Sequence, residues 1–222
     1  PTLSPALFTV ATRLLAHPED RQLRSVLVLR RINANALAAL GISHVVTDAP
    51  AASPLRPLGT EAINDSLSVF LYEVPGAIRS AASPVRIRKV ASFSAALRQL
   101  SDLADPLETA VLIEGDPDGA DPGSLTPASA VSVRVARGGF DIAADSQGQS
   151  LLVLPVEFSH CRTFVPDGKG GEPPRLIRVN ALQTGVVFAG RLRGRLRYFT
   201  GPFDGADCRL KDARAFSRLT AG

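Results

Sequence analysis

The sequence predicts an α+β fold: a small α/β N-terminal part followed by an antiparallel β-sandwich that resembles a jelly roll. Three features of the 222 residues predict it. Apolar residues recur at helical spacing in three segments of the first half. A short helix pattern, Gly41 and an apolar strand pattern follow one another closely, which is typical of an α/β unit. From Ala130 onward, short apolar or alternating segments are separated by turn-forming residues.

Two helices are predicted in the N-terminal part, residues 1–75. Ser4 caps the first helix, and Pro5 fits its first position. Asn33 caps the second helix, which covers 34–40 and stops at Gly41. We also expect strands at 25–29, 42–47 and 67–74, and a loop at 49–60, where Pro, Ala and Ser are frequent.

Residues 76–128 are predicted to contain linking strands and one helix. Polar and apolar residues alternate over 84–90, which predicts a half-exposed strand. Ser92 caps a helix whose Phe93, Leu97 and Leu100 share one face. A strand at 109–114 and a loop at 115–128 complete this part.

Residues 129–203 are predicted to form the β-sandwich, and residues 204–222 a C-terminal tail. A glycine turn at Gly138 separates the first two strands of the sandwich. A short strand is expected just before the glycine-rich turn at 165–171. The other strands are predicted at 131–136, 140–143, 151–158, 175–180 and 190–199.

Composition argues against several classes of protein. The formal net charge of +4 is mild and aromatic residues make up only 5%, so we expect no nucleic-acid partner. No apolar run approaches the roughly 20 residues that span a bilayer. The chain starts at Pro1 and contains no Met, so we expect a piece excised from a longer protein. A mature protein whose leader was removed is the alternative.

Metal and catalytic motifs are weak. Asp116, Asp118 and Asp121 resemble a calcium loop in composition, but their spacing misses the EF-hand pattern, so a solvated acidic loop is favoured. His160 and Cys161 are adjacent soft ligands with no others at zinc spacing. No Gly-x-Ser-x-Gly elbow presents a nucleophile. We therefore expect no metal, no cofactor and no catalytic residue in this chain.

The two cysteines, Cys161 and Cys208, leave two alternatives open. They can form a disulfide, which would indicate an oxidising compartment. They can equally be two buried free thiols.

The last predicted strand carries a ladder of arginines spaced two residues apart. Alternate residues of a strand point to the same face, so all four guanidinium groups should share one side of the sheet. Such a strip suits phosphate oxygens or anionic headgroups; a solvated face with acidic partners is the alternative. The arginine ladder consists of Arg191, Arg193, Arg195 and Arg197.

Two residues of the preceding glycine-rich turn, Asp167 and Lys169, are further candidate ligand-binding residues. The backbone N–H groups around Lys169 can approach a phosphate. A P-loop would enter a helix, whereas this turn leads into a predicted strand, so a hairpin turn is favoured.

Several segments resemble, in order and spacing, the C-terminal region of bacterial YfhO-like multi-spanning membrane proteins. Residues 40–47 are similar to the family's Leu-Gly-Val-x-Tyr-Val-Val-Thr stretch, and 69–73 to its strand ending in Tyr-Glu. Residues 151–158 and 165–169 are similar to its Leu-Val-Leu strand and Val-Asp-Gly-Lys turn. Further matches are Asn180, Gly190, Leu196 and Tyr198. Where the family has Tyr-Pro-Gly-Trp, this chain has 158–161, Phe-Ser-His-Cys.

The resemblance implies a non-catalytic domain at the extracytoplasmic face of the bacterial cytoplasmic membrane. Its parent would be a GT-C-type glycosyltransferase, which transfers sugar from a polyprenyl-phosphate donor to a cell-envelope acceptor. The implied partners are the transmembrane part of the same polypeptide, the membrane surface, and a glycan or polyprenyl-phosphate sugar. The catalytic acid of such enzymes lies in the membrane part, outside this chain. The alternative is a stand-alone periplasmic carbohydrate-binding β-sandwich, which the absence of Trp weakens.

Overall fold

A computed structural model of the protein describes residues 5–17, 19–23, 26–29, 31–51, 54–64, 66–168, 173–198 and 206–221. Within these residues the helices are α1 (Pro5–Leu15), α2 (Ala34–Leu40), α3 (Phe93–Ser101) and α4 (Ala206–Ala221). The strands are β1 (Arg21–Leu23), β2 (Val26–Val28), β3 (His44–Thr47), β4 (Arg56–Asn64), β5 (Leu67–Glu73), β6 (Arg86–Val90), β7 (Thr109–Ile113), β8 (Ser129–Ala136), β9 (Gly139–Glu157), β10 (Arg162–Pro166), β11 (Arg175–Val179) and β12 (Gln183–Tyr198).

The strands of the described segments form four sheets, and the largest of these sheets contains β12 at its centre. Its order is β10-β12-β9-β8, and β11 also pairs with β12. Smaller sheets are formed by β3-β5-β4, by β1-β2 and by the parallel pair β6-β7. All pairs other than β6-β7 are antiparallel. With about 44% strand and 21% helix, the predicted α+β class is confirmed.

Local sequence signals fix the helix ends where they were predicted. The side chain of Asn33 accepts a hydrogen bond from the N–H of Ala36 at 3.0 Å, and the hydroxyl of Ser92 accepts one from Ala95 at 3.2 Å. Gly41 ends α2 in the left-handed region at φ 81°. The predicted cap Ser4 lies outside the described residues.

The core joins segments that are far apart in sequence. One cluster packs α1, α2 and α3 against β7 and the turn residues Ala181 and Leu182. Leu151 and Val153 of β9 pack against β7 and β11 on one side of the large sheet. Leu152 and Leu154 belong to a separate cluster with β12. The centre of β9 is therefore apolar at consecutive positions because both of its faces are covered.

Several segments differ from the prediction, and the strand predicted at 190–199 is the second half of a longer strand, β12 (Gln183–Tyr198). Residues 56–64, expected largely as loop, form β4, whose side chains are all exposed, so no burial pattern marks it as a strand. Residues 140–143 and 151–157 belong to one strand, β9, because main-chain pairing with β12 continues through the polar residues between them, and the predicted strand end at Phe158 lies just beyond it. Residues 206–221 of the expected tail form α4, in which Ala215 is buried.

None of the helices in the described part of the chain is both long and apolar enough to cross a membrane.

Candidate functional site

The arginine ladder lies on one side of β12, as the alternation predicted. Leu192 and Leu196 point to the other side and are 3% and 0% exposed, whereas Arg191 and Arg197 are exposed. Antiparallel pairing holds the ladder against β9, with Arg191 opposite Asp145 and Arg195 opposite Asp141.

Two aspartates of β9 partly neutralise the ladder. Asp145 pairs with Arg191 at 3.5 Å and with Arg193 at 3.2 Å, and Asp141 pairs with Arg195 at 2.5 Å. The hydrogen bond from Arg195 lowers the pKa of Asp141 below its usual value and in turn raises the pKa of Arg195. These acids are the neighbours that the solvated-face alternative required.

The ladder face nevertheless keeps an excess of positive charge. Arg134 of β8 lies opposite Asp141 and therefore adds a fifth guanidinium group to this face. Asp167, a predicted ligand-binding residue, is exposed at the end of β10, and its N–H donates to the carbonyl oxygen of Arg193 at 3.1 Å. It supplies a third carboxylate, so five arginines face three aspartates among the residues that the structure describes. Lys169, the other predicted residue of that turn, lies outside the described residues.

A second charged cluster, which no sequence pattern predicted, surrounds Arg178 of β11. Its side chain is 7% exposed and donates to Asp116 at 3.0 Å and to Asp118 at 2.7 Å. The carbon of its guanidinium group lies 5.1 Å from the centroid of the Phe158 ring. A buried cation is tolerated here because two carboxylates and an aromatic face surround it.

His160 extends this cluster to helix α4. Its Nε2 lies 3.0 Å from a carboxylate oxygen of Asp118, and its Nδ1 lies 2.6 Å from Asp212. The same carboxylate of Asp212 accepts the hydroxyl of Ser159 at 2.5 Å and the N–H of His160 at 2.7 Å. Both ring nitrogens of His160 therefore lie within hydrogen-bonding distance of a carboxylate.

The cluster brings a serine, a histidine and aspartates together, but the hydrogen bonds among them are not those that nucleophilic catalysis requires. A Ser-His-Asp triad needs the serine hydroxyl to donate to the imidazole. Here Ser159 donates to Asp212, and both ring nitrogens of His160 already face carboxylates. The arrangement instead connects the loop after β7, the turn after β9, β11 and α4.

The acidic loop is also occupied by protein cations. Asp116 and Asp118 bind Arg178, and Asp121 forms an ion pair with Lys89 at 2.5 Å. That ion pair lowers the pKa of Asp121 and raises the pKa of Lys89. Within the described ranges no group of three or more His, Cys, Asp or Glu residues could hold a metal ion.

A disulfide between Cys161 and Cys208 decides between the two alternatives for the cysteines. Their Cα atoms are 5.1 Å apart, and the bond fastens α4 to the turn after β9. It lies next to the Ser159, His160 and Asp212 contacts, so α4 is held at this end by one covalent bond and several hydrogen bonds.

Sequence spacing could not have revealed the cluster around Arg178. His160 is 42 residues from Asp118 and 52 from Asp212, and Arg178 is 62 from Asp116. The only local signals are the paired aspartates at 116 and 118 and an arginine in an apolar strand.

No known protein family, curated protein or solved structure matches the chain.

Proposed function

We propose that this protein is a non-catalytic extracytoplasmic domain of a membrane glycosyltransferase that acts in cell-envelope glycan or lipid-linked sugar transfer. In this proposal the face that carries the arginine ladder binds the anionic membrane surface or an anionic acceptor glycan. The YfhO-like segments suggest the parent protein. The excess of guanidinium groups on one exposed sheet face is the observation that carries the binding function.

The distribution of ion pairs supports binding at the ladder face. Arg191 is 77% exposed and its carboxylate partner Asp145 is shared with Arg193, while Arg197 forms no ion pair with a described residue. Exposed pairs of this kind are weak, so a phosphate or carboxylate can replace them at small cost. A planar guanidinium group also binds such oxygens in bidentate fashion.

The disulfide supports a location outside the cytoplasm. Structural disulfides persist in oxidising compartments and are rare in the cytosol. The packing of β7 against β9 and β11 agrees with a two-layered, sandwich-like arrangement for this part of the proposed domain.

Vesicle cosedimentation tests the proposed binding. We expect this domain to bind vesicles with anionic lipid more strongly than neutral vesicles, and we expect the difference to fade with salt, because the Debye length is about 10 Å at 0.1 M. An arginine near an anionic surface contributes about 1 kcal/mol, so the double substitution R191Q/R197Q should weaken binding roughly 30-fold.

The matched control is R88Q/R175Q, which removes the same charge from two exposed arginines outside the ladder. It should retain most of the binding. Equal binding to neutral and anionic vesicles, or an equal loss in the control, would exclude the ladder as the binding surface.

A further inference from the structure

A cavity of about 570 Å³ lies between helices α1 and α4 and the ends of β9 and β12. This volume falls within the roughly 300–1,000 Å³ of small-molecule sites. Apolar side chains dominate its walls, among them Phe158, Leu182 and Phe216. The cavity can therefore enclose the apolar body of a small ligand.

Several polar residues of the cavity are already engaged with other protein groups. Asp212 accepts the Ser159 hydroxyl and faces His160, and Arg178 is held by two carboxylates. The charges and hydrogen-bonding groups of these residues therefore have protein partners without any ligand.

Arg162 is different, because no carboxylate of a described residue forms an ion pair with it. Its Nε donates to the carbonyl oxygen of Glu157 at 2.9 Å, and its guanidinium carbon lies 5.3 Å from the centroid of the Tyr198 ring. Among the described residues no carboxylate oxygen lies within 4.0 Å of this guanidinium group. Burial lowers the pKa of Arg162, and the charges of Tyr198, Glu157 and Asp212 only partly offset this shift.

The charges that line the cavity favour a ligand with a single negative charge. Besides Arg178, which Asp116 and Asp118 hold, the cavity is lined by the cations Arg162 and Arg209 and by the carboxylates Glu157 and Asp212, which would repel a dianion more strongly than a monoanion. A monocarboxylate matches the fork of one guanidinium group in bidentate fashion.

We propose that this cavity binds a medium-chain monocarboxylate, with the carboxylate on Arg162 and the aliphatic chain against Phe158, Leu182 and Phe216. The site is separate from the proposed anionic-surface binding. Arg162 lies opposite Tyr198 in the pairing of β10 with β12, whereas the arginine ladder points to the other face of β12.

Isothermal titration calorimetry with three probes tests the proposal. Octanoate carries both head and chain, acetate carries the head alone, and octanol carries the chain alone. We expect octanoate to bind more tightly than either of the other two, because only octanoate uses both parts of the cavity. Arg162→Met, which keeps an apolar stem, should weaken octanoate binding by about tenfold or more, since it removes a charge-assisted hydrogen bond. Octanol binding should change little.

Arg88→Met is the matched control, because it removes an exposed arginine that lines neither the cavity nor the ladder face and should leave octanoate binding unchanged. Vesicle binding separates this proposal from the previous one: R191Q/R197Q should weaken it and R162M should not. Equal affinities for octanoate and acetate, or no heat with octanoate, would overturn the cavity proposal. If R162M does not fold, the wild-type titrations with the three probes decide the question alone.

Discussion

Replacing Arg178 with methionine should destabilise the domain severely. The substitution keeps an apolar side chain in β11 but leaves Asp116 and Asp118 without their guanidinium partner. These carboxylates are only 4% and 16% exposed, so water cannot take over the lost interaction. Breaking a buried ion pair from one side typically costs about 3–5 kcal/mol. That is a large part of the roughly 5–15 kcal/mol that stabilises a typical domain.

Urea denaturation monitored by circular dichroism, without reductant so that the disulfide is retained, measures this cost. The midpoint should fall while the slope of the transition stays constant. Arg175→Met, at the exposed start of the same strand, is the matched control and should change the free energy of unfolding by no more than about 0.5 kcal/mol. The double variant R178M/D116N should recover part of the loss, because it removes one of the uncompensated charges. The reasoning fails if R178M and R175M unfold at the same midpoint.

Two further predictions concern the disulfide and a helix-terminating glycine. The double variant C161S/C208S opens a loop that spans 47 residues, which should lower the unfolding free energy by about 4 kcal/mol in the chain-entropy model. Reduction of the wild-type protein should lower its melting temperature in the same way as the double substitution. An unchanged melting temperature would contradict this prediction. Gly41→Ala should destabilise the protein more than Gly76→Ala in the same urea assay. Both glycines have positive φ, which costs about 1 kcal/mol for alanine, but only at Gly41 would the new Cβ clash with the side chain of Pro155. Equal losses of unfolding free energy would show that Pro155 moves aside freely.

Local signals predicted those parts of the fold that depend on neighbouring residues. The caps Asn33 and Ser92 and the terminator Gly41 act within three or four residues, so the sequence places α2 and α3 almost to the residue. The alternation along β12 likewise predicted which side carries the arginine ladder.

Features that depend on distant partners were not predictable in the same way. The strand β4 is exposed along its length and is ordered by hydrogen bonds to β5, which leave no hydrophobic pattern. Helix α4 buries little apolar surface and is fastened by the disulfide and by Asp212. The cluster around Arg178 consists of residues from four segments, whose meeting depends on the whole topology.

The alternation of arginine and leucine in β12 affects the register in which this strand pairs with β9 during folding. Sliding β12 by one residue along β9 would exchange its two sides, directing guanidinium groups toward the interior and the leucines toward water. Each charge buried without a partner would cost several kcal/mol, so the misaligned pairing is strongly disfavoured. The arginine ladder therefore disfavours misaligned pairing of β12 with β9, whether or not any ligand binds to it.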